Sequence, residues 1–132
     1  MSRFVKQAEI QVDAFPWGDV GWRCAAKNTG CTSFVVIDVS LAPGTGHEFH
    51  KHPNQDELIV IKAGSVVQYI EGESTTLHVG DSVYIDRDVV HASYNDGTEL
   101  ALLEVILAPS VGDESYELVD VSGESPWNTL RP

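Results

Sequence analysis

The feature that most constrains this chain is a series of short apolar runs rich in β-branched residues, each cut off by Gly, Pro, Asn or Asp. Residues 32–41 form one such run, which ends at the turn cluster Pro43, Gly44, Thr45 and Gly46. Residues 57–62, 65–71, 75–79 and 82–85 follow as strands, each bounded by a turn signal. Residues 99–107 are the last long run, and Pro109 stops it. Residues 4–12 alternate enough to add an N-terminal strand. Three-to-four periodicity with helix caps is hard to find anywhere. Many short strands at close spacing give an all-β sandwich or barrel.

No repeat, low-complexity tract or linker interrupts the chain, so residues 1–132 read as one domain. Its parts are N-terminal strands and loop at 1–31, a barrel at 32–109 and a tail at 110–132 packed on the surface. Acidic residues number 20 against 8 basic, a formal charge of −12. That field repels phosphate backbones and anionic lipid surfaces, so neither nucleic acid nor membrane is an expected partner. A small anionic ligand stays open, because a bound dication dominates its own pocket. No stretch approaches the roughly 18 apolar residues of a membrane span, and the N-terminus lacks a secretory pattern, which makes the cytoplasm the expected location. There, Cys24 and Cys31 read as free thiols, in a segment that suits a hairpin bringing them close. The short spacing of a zinc knuckle is absent.

Chemistry concentrates in four residues. His50 and His52 lie two apart, so on a strand both imidazoles project to one face. Glu57 opens the apolar run Leu58, Ile59, Val60, Ile61, an expensive place for a carboxylate unless it is paired or metal-bound. His91 follows a charged turn, Asp86, Arg87, Asp88. Three imidazoles and one carboxylate are a normal donor set for a first-row dication.

At this point the sequence resembles the cupins. Their first motif is a glycine, five residues, His-x-His, three or four residues, Glu, six residues and a glycine. Gly44, His50, His52, Glu57 and Gly64 fall at those positions. Their second motif is a glycine, five residues, Pro-x-Gly, two residues, His, three residues and Asn. Gly80, His91 and Asn95 match it, while Asp86 and Asp88 stand in place of the proline and glycine. The resemblance spans residues 44–95 directly. It implies a double-stranded β-helix, or jelly roll, of the RmlC-like kind. In it, His50, His52, Glu57 and His91 hold one divalent transition metal (Fe, Mn, Ni, Zn or Cu) inside one mouth of the barrel. It also favours a homodimer, built on a sheet face or on the strand expected at 4–12.

Other residues take lesser places. Glu104 interrupts the run at 100–107; facing inward it is the candidate catalytic base, facing outward an interface residue. Gln55, Arg87 and Tyr94 are candidate substrate contacts, against the duller readings of a loop hydrogen bond for Gln55 and an ion pair with Asp86 or Asp88 for Arg87. Glu48 shares the face of His50 or sits in the loop. His47 and His78 have no matching role, and Trp17 and Trp22 form a lid or pack in the core. Four protein donors leave open positions on an octahedral ion for substrate or oxygen. The expected function is therefore a metal-dependent enzyme on a small oxygenated metabolite, a sugar or uronate isomerase or lyase. A metal-dependent dioxygenase and a non-catalytic binding module are the alternatives.

Overall fold

Apolar alternation builds two facing antiparallel sheets in the computed structural model, which describes residues 1–131. The strands are β1 (Val12–Phe15), β2 (Gly18–Cys24), β3 (Val35–Leu41), β4 (Gly46–Lys51), β5 (Asp56–Ala63) and β6 (Ser65–Ile70). They continue with β7 (Glu73–His78), β8 (Ser82–Ile85), β9 (His91–Tyr94), β10 (Ala101–Ala108) and β11 (Val119–Asp120). One sheet runs β1-β2-β3-β10-β5-β8 and the other β11-β4-β9-β6-β7, the arrangement of a double-stranded β-helix. No helix in the described residues is long and apolar enough to cross a membrane.

Alternation decides what faces inward. On β3, Val35, Ile37, Val39 and Leu41 are buried; on β10, Leu103, Val105 and Leu107; on β5, Ile59 and Ile61. Glu57 has the same parity as Ile59, so the strand that builds the core also carries a carboxylate into it. A smaller cluster lies outside the five-stranded sheet, where Phe49, Ala92 and Val121 pack with Tyr69, Tyr94, Trp127 and Leu130. The tail lies there: Trp127 stacks on Phe49 at 5.7 Å, and Arg131 sits 3.8 Å above the Tyr94 ring.

The N-terminal expectation is corrected. Residues 4–12 hold a single 3-10 turn at Gln7–Glu9, and Phe4 is 83% exposed. The polar stretch from Lys6 to Glu9 breaks the alternation between the apolar pairs 4, 5 and 10, 12, so no face forms. The strand begins at Val12 and pairs with β2, a Gly-containing segment with little apolar alternation. Gly18 is tolerated in that strand because it lets the chain approach β3: a Cβ there would sit 2.4 Å from the Ser40 carbonyl oxygen. Between the cysteines lies no hairpin but one helical turn, α1 (Ala26–Thr29), closed by Gly30 at φ 78°; both thiols are free. The expected run at 32–41 becomes a strand only from Val35.

The turn after β8 forms with Asp86 and Asp88 at the positions of the motif's proline and glycine. Asp88 adopts φ 67°, which Asp tolerates better than most residues, and its N–H donates to the His52 carbonyl at 2.9 Å. Gly64, between β5 and β6, is less replaceable. Its φ is +69°, and a Cβ would meet the Leu100 carbonyl oxygen at 2.6 Å and Ala101 Cα at 2.9 Å. Gly64→Ala is therefore expected to cost at least about 1–2 kcal/mol, from the left-handed backbone alone. Thermal melting should show a midpoint several degrees lower; an unchanged midpoint would contradict the turn described here.

Candidate metal centre

The two sheets supply the four donors from opposite sides. His50 on β4 and His91 on β9 are paired across adjacent strands, and His52 lies one residue beyond the end of β4. Glu57 comes from β5, in the other sheet. One ring nitrogen from each of His50, His52 and His91 falls in a set whose members all lie within 4.8 Å of one another. Glu57 Oε1 is 3.3 Å from His52 Nε2 and 2.8 Å from His91 Nε2. All four side chains are buried, the most exposed being Glu57 at 6%.

Each histidine is turned by its other nitrogen. His50 Nδ1 lies 2.6 Å from the Glu48 carbonyl, His52 Nδ1 2.6 Å from the Glu117 carbonyl and His91 Nδ1 2.9 Å from the Val89 carbonyl. A carbonyl only accepts, so each Nδ1 carries the hydrogen, and the ring in its neutral form offers the Nε2 lone pair. That is how proteins orient metal-ligating imidazoles. The consequence shows at Glu57 Oε1 and His91 Nε2, which are buried and form no hydrogen bond among the described residues despite lying 2.8 Å apart. Two lone pairs facing each other repel unless a proton on His91 or a metal ion joins them. Around them is a cavity of about 30 Å³, lined also by Ile37, Val39, Ile59 and Val105. The residues present thus fit a divalent metal, held by His50, His52, Glu57 and His91.

Without a metal, Glu57 and the imidazoles answer one another. Burial alone would raise the Glu57 carboxyl, but His91 and His52 hold it well below the usual range. Burial opposes charge on His91 too, and Glu57 outweighs it, raising that imidazole. His50 is pushed well below its ordinary value by burial and then by His47, His91 and His52.

The remaining expected residues scatter. Glu104 does not point inward: on β10 it alternates with buried Leu103 and Val105, and it lies opposite Asp38 on the outer face, near Arg23. The pocket therefore lacks that base. Gln55 is 1% exposed and ties the tail down, donating to the carbonyls of Pro109 at 2.8 Å and Ser115 at 3.0 Å. Arg87 is exposed and grips Asp56 through two hydrogen bonds of 3.2 and 2.9 Å, in place of Asp86 or Asp88. Tyr94 sits beneath Arg131 and lines an outer cavity of about 700 Å³ together with His47, Glu48 and Asp120. His78 is exposed at the end of β7.

His47 is the residue that sequence parity missed. Three positions from His50, it should face the opposite side of a regular strand. The register slips between His47 and His50, the mark of a β-bulge, and both rings turn toward the same cavity. Glu48, which the sequence leaves open between the face of His50 and the loop, lies on β4 and is exposed, lining the outer cavity with His47 and His50. The His47 ring lies between Trp17 and His50, with centroids 3.8 Å from each. Tyr116, from the tail, packs 5.3 Å from His52 and also lines the metal cavity. No strand pattern marks that segment.

Burial pushes His47 down to about 3, so in the folded protein both His47 and His50 stay neutral where an unfolded histidine titrates, near about 6.5. A depressed folded value gives stability that is complete above about 6.5 and lost as pH falls from there. His91, raised, acts in the opposite sense: its contribution is present below about 6.5 and lost as pH rises through its folded value. With two groups against one, chelator-treated protein should melt at lower temperature at pH 5 than at pH 7. His47→Phe should flatten that slope. Identical slopes for the variant and wild type would show that His47 is not buried neutral.

The family profile described as "Cupin domain" matches residues 37–107, more than half the chain. The chain is 28% identical over 83 residues to the tetracenomycin polyketide synthase protein TcmJ of Streptomyces glaucescens, a match covering 63% of this chain and 56% of TcmJ. It thus spans little more than half the length of that relative. It is 30% identical over 91 residues to the pectin degradation protein KdgF of Dickeya dadantii, covering 67% of this chain and 83% of KdgF. Among solved structures, an RmlC-like cupin from Shewanella frigidimarina superposes with a TM-score of 0.73 at 14% identity, over 86% of this chain and 96% of that one; the likeness is one of fold. With both motifs in place, two facing sheets and three histidines converging inside them, this chain belongs to the cupin domain family.

Proposed function

We propose that the protein is an enzyme in which a divalent transition metal at His50, His52, Glu57 and His91 acts as a Lewis acid on a carbonyl or hydroxyl of a small oxygenated metabolite. The observation that carries this is the outward tether of all three Nδ1 atoms, which leaves three Nε2 atoms clustered, with the Glu57 carboxylate oxygen beside those of His52 and His91. Isomerase or lyase chemistry on a sugar or uronate is the form supported by the likeness to KdgF. When bound, the metal would polarise the substrate oxygen. The chain's own part is to hold that oxygen near Glu57 and His91 and to keep water out with Ile37, Val39, Leu103 and Val105.

A second reading, a metal-dependent dioxygenase, is favoured by what surrounds the ligands. With Glu104 on the outer face, the lining apart from the ligands offers polar atoms from only Trp17, His47, Ser93 and Tyr116, and no further carboxylate. Ser93 already donates to Gln68 at 2.6 Å. Burial raises the Tyr116 hydroxyl, which disfavours its anion. Chemistry that asks little proton transfer of the protein suits such a lining.

Metal analysis of untagged protein should find about one ion per chain. Zn, Mn or Ni favours the isomerase or lyase reading; Fe or Cu favours oxygen chemistry. Bound metal with no turnover of any unsaturated uronate, ketose or phenol tested would leave the non-catalytic module. Glu57→Gln should lower metal affinity by about tenfold or more, the scale seen when metal-site partners are altered. The chelated variant should melt no lower than chelated wild type, since a buried charge has been removed. Equal metal affinity by calorimetry would take Glu57 out of the site. The homodimer rests on family likeness alone; sedimentation velocity tests it, and a single 14.4 kDa species would overturn it.

A further inference from the structure

Beside the metal cavity lies a second one of about 200 Å³. The two share Trp17, Ile37, His47 and Tyr116, so a ligand in the second chamber touches residues that also line the metal site. Its wall is otherwise Phe15, Val20, Trp22 and Leu118, all apolar. Protein interiors are normally filled, and a void lined by four aromatic residues leaves much apolar surface without a partner. A cavity of about 150 Å³ lined by apolar side chains is enough to hold benzene, so this one has room for a substituted ring.

The rings are fixed before any ligand arrives. Phe15, Trp17, His47 and His50 stack in sequence, with centroid separations of 5.5, 3.8 and 3.8 Å and interplanar angles of 11°, 2° and 18°. Trp22 meets Tyr116 edge-on at 6.1 Å, and its indole N–H is already donated to Asp13 at 2.8 Å. The polar atoms left on its wall are those of the Trp17 indole, the His47 imidazole and the Tyr116 hydroxyl, against a lining that is otherwise apolar. A saturated sugar ring would bring more hydroxyls into it than these can pair, a loss that a planar carbon ring does not suffer. Aromatic rings also pack favourably against the faces and edges of other rings.

We propose that this chamber is the ring subsite of the metal centre: it takes a planar aromatic or conjugated ring, whose attached oxygen reaches toward His50, Glu57 and His91. The inference rests on the metal-enzyme reading above and narrows its substrate class, favouring a phenol- or enol-bearing ring over a sugar or uronate.

The test separates the two readings. Binding of 2-naphthol and of galacturonate is followed by calorimetry on the protein as purified and on chelator-treated protein, for wild type, Leu118→Trp and Phe15→Ala. The naphthol should bind wild type at least tenfold more tightly than galacturonate does. Part of that affinity should survive chelation, because the ring subsite needs no metal. Leu118→Trp fills the chamber and should weaken naphthol at least tenfold with metal content unchanged. Phe15→Ala, at the 45%-exposed rim, should weaken it less. Naphthol binding in protein that holds no metal as purified and takes up none on soaking would sink the metal reading and keep the ring subsite. Normal metal content with galacturonate bound more tightly than naphthol, or with naphthol affinity unchanged by both substitutions, would overturn the ring subsite and keep the metal reading.

Discussion

Glu57 is the constraint around which the rest is arranged. A carboxylate buried to this depth on an apolar strand is tolerable only if something positive, or several oriented dipoles, answers it. The answer here comes from the opposite sheet, so the two layers of the sandwich are joined through their costliest polar group as well as through Ile, Val and Leu packing. Three imidazoles are set facing it by three backbone carbonyls, and each carbonyl belongs to a different part of the fold: β4, the turn before β9, and the tail. The geometry of the site is thus a property of backbone placement more than of side-chain choice.

The tail shows how far that dependence reaches. It is held by Gln55, which accepts the Glu117 N–H at 3.0 Å and donates to two tail carbonyls. Glu117 in turn gives its carbonyl to His52, and Tyr116 closes the cavity beside it. Ser115 Oγ accepts the Ala26 N–H at 3.0 Å, tying α1 to the same segment. A segment with one two-residue strand therefore takes part in the metal site, the aromatic chamber and the packing of the N-terminal region.

Much of this was legible in the sequence. Strand parity on β5 alone places Glu57 inward with Ile59 and Ile61, and the spacing of His50, His52 and His91 marks the other donors. The same parity failed at His47, because it presumes an unbroken ladder and β4 carries a bulge. It also left both faces open for Glu104; only the pairing with Asp38 on one side and Val60 on the other assigns it outward. β2 escaped notice because Gly18 is there for close approach to β3, a reason invisible without the neighbour. Tyr116 carries no local signal, since its position follows from hydrogen bonds to residues some sixty positions away.

The stacked rings from Phe15 to His50 have an optical consequence. Trp17 stands one imidazole away from His50, a candidate metal ligand, in near-parallel contact throughout. Its emission is therefore coupled to whatever charge His50 faces. Trp22 lies edge-on to Tyr116 with its indole hydrogen bonded to Asp13, and Trp127 lies outside the five-stranded sheet against Phe49. The protein thus carries one indole wired to its centre beside two in other surroundings, a native fluorescent gauge of occupancy with its own internal references.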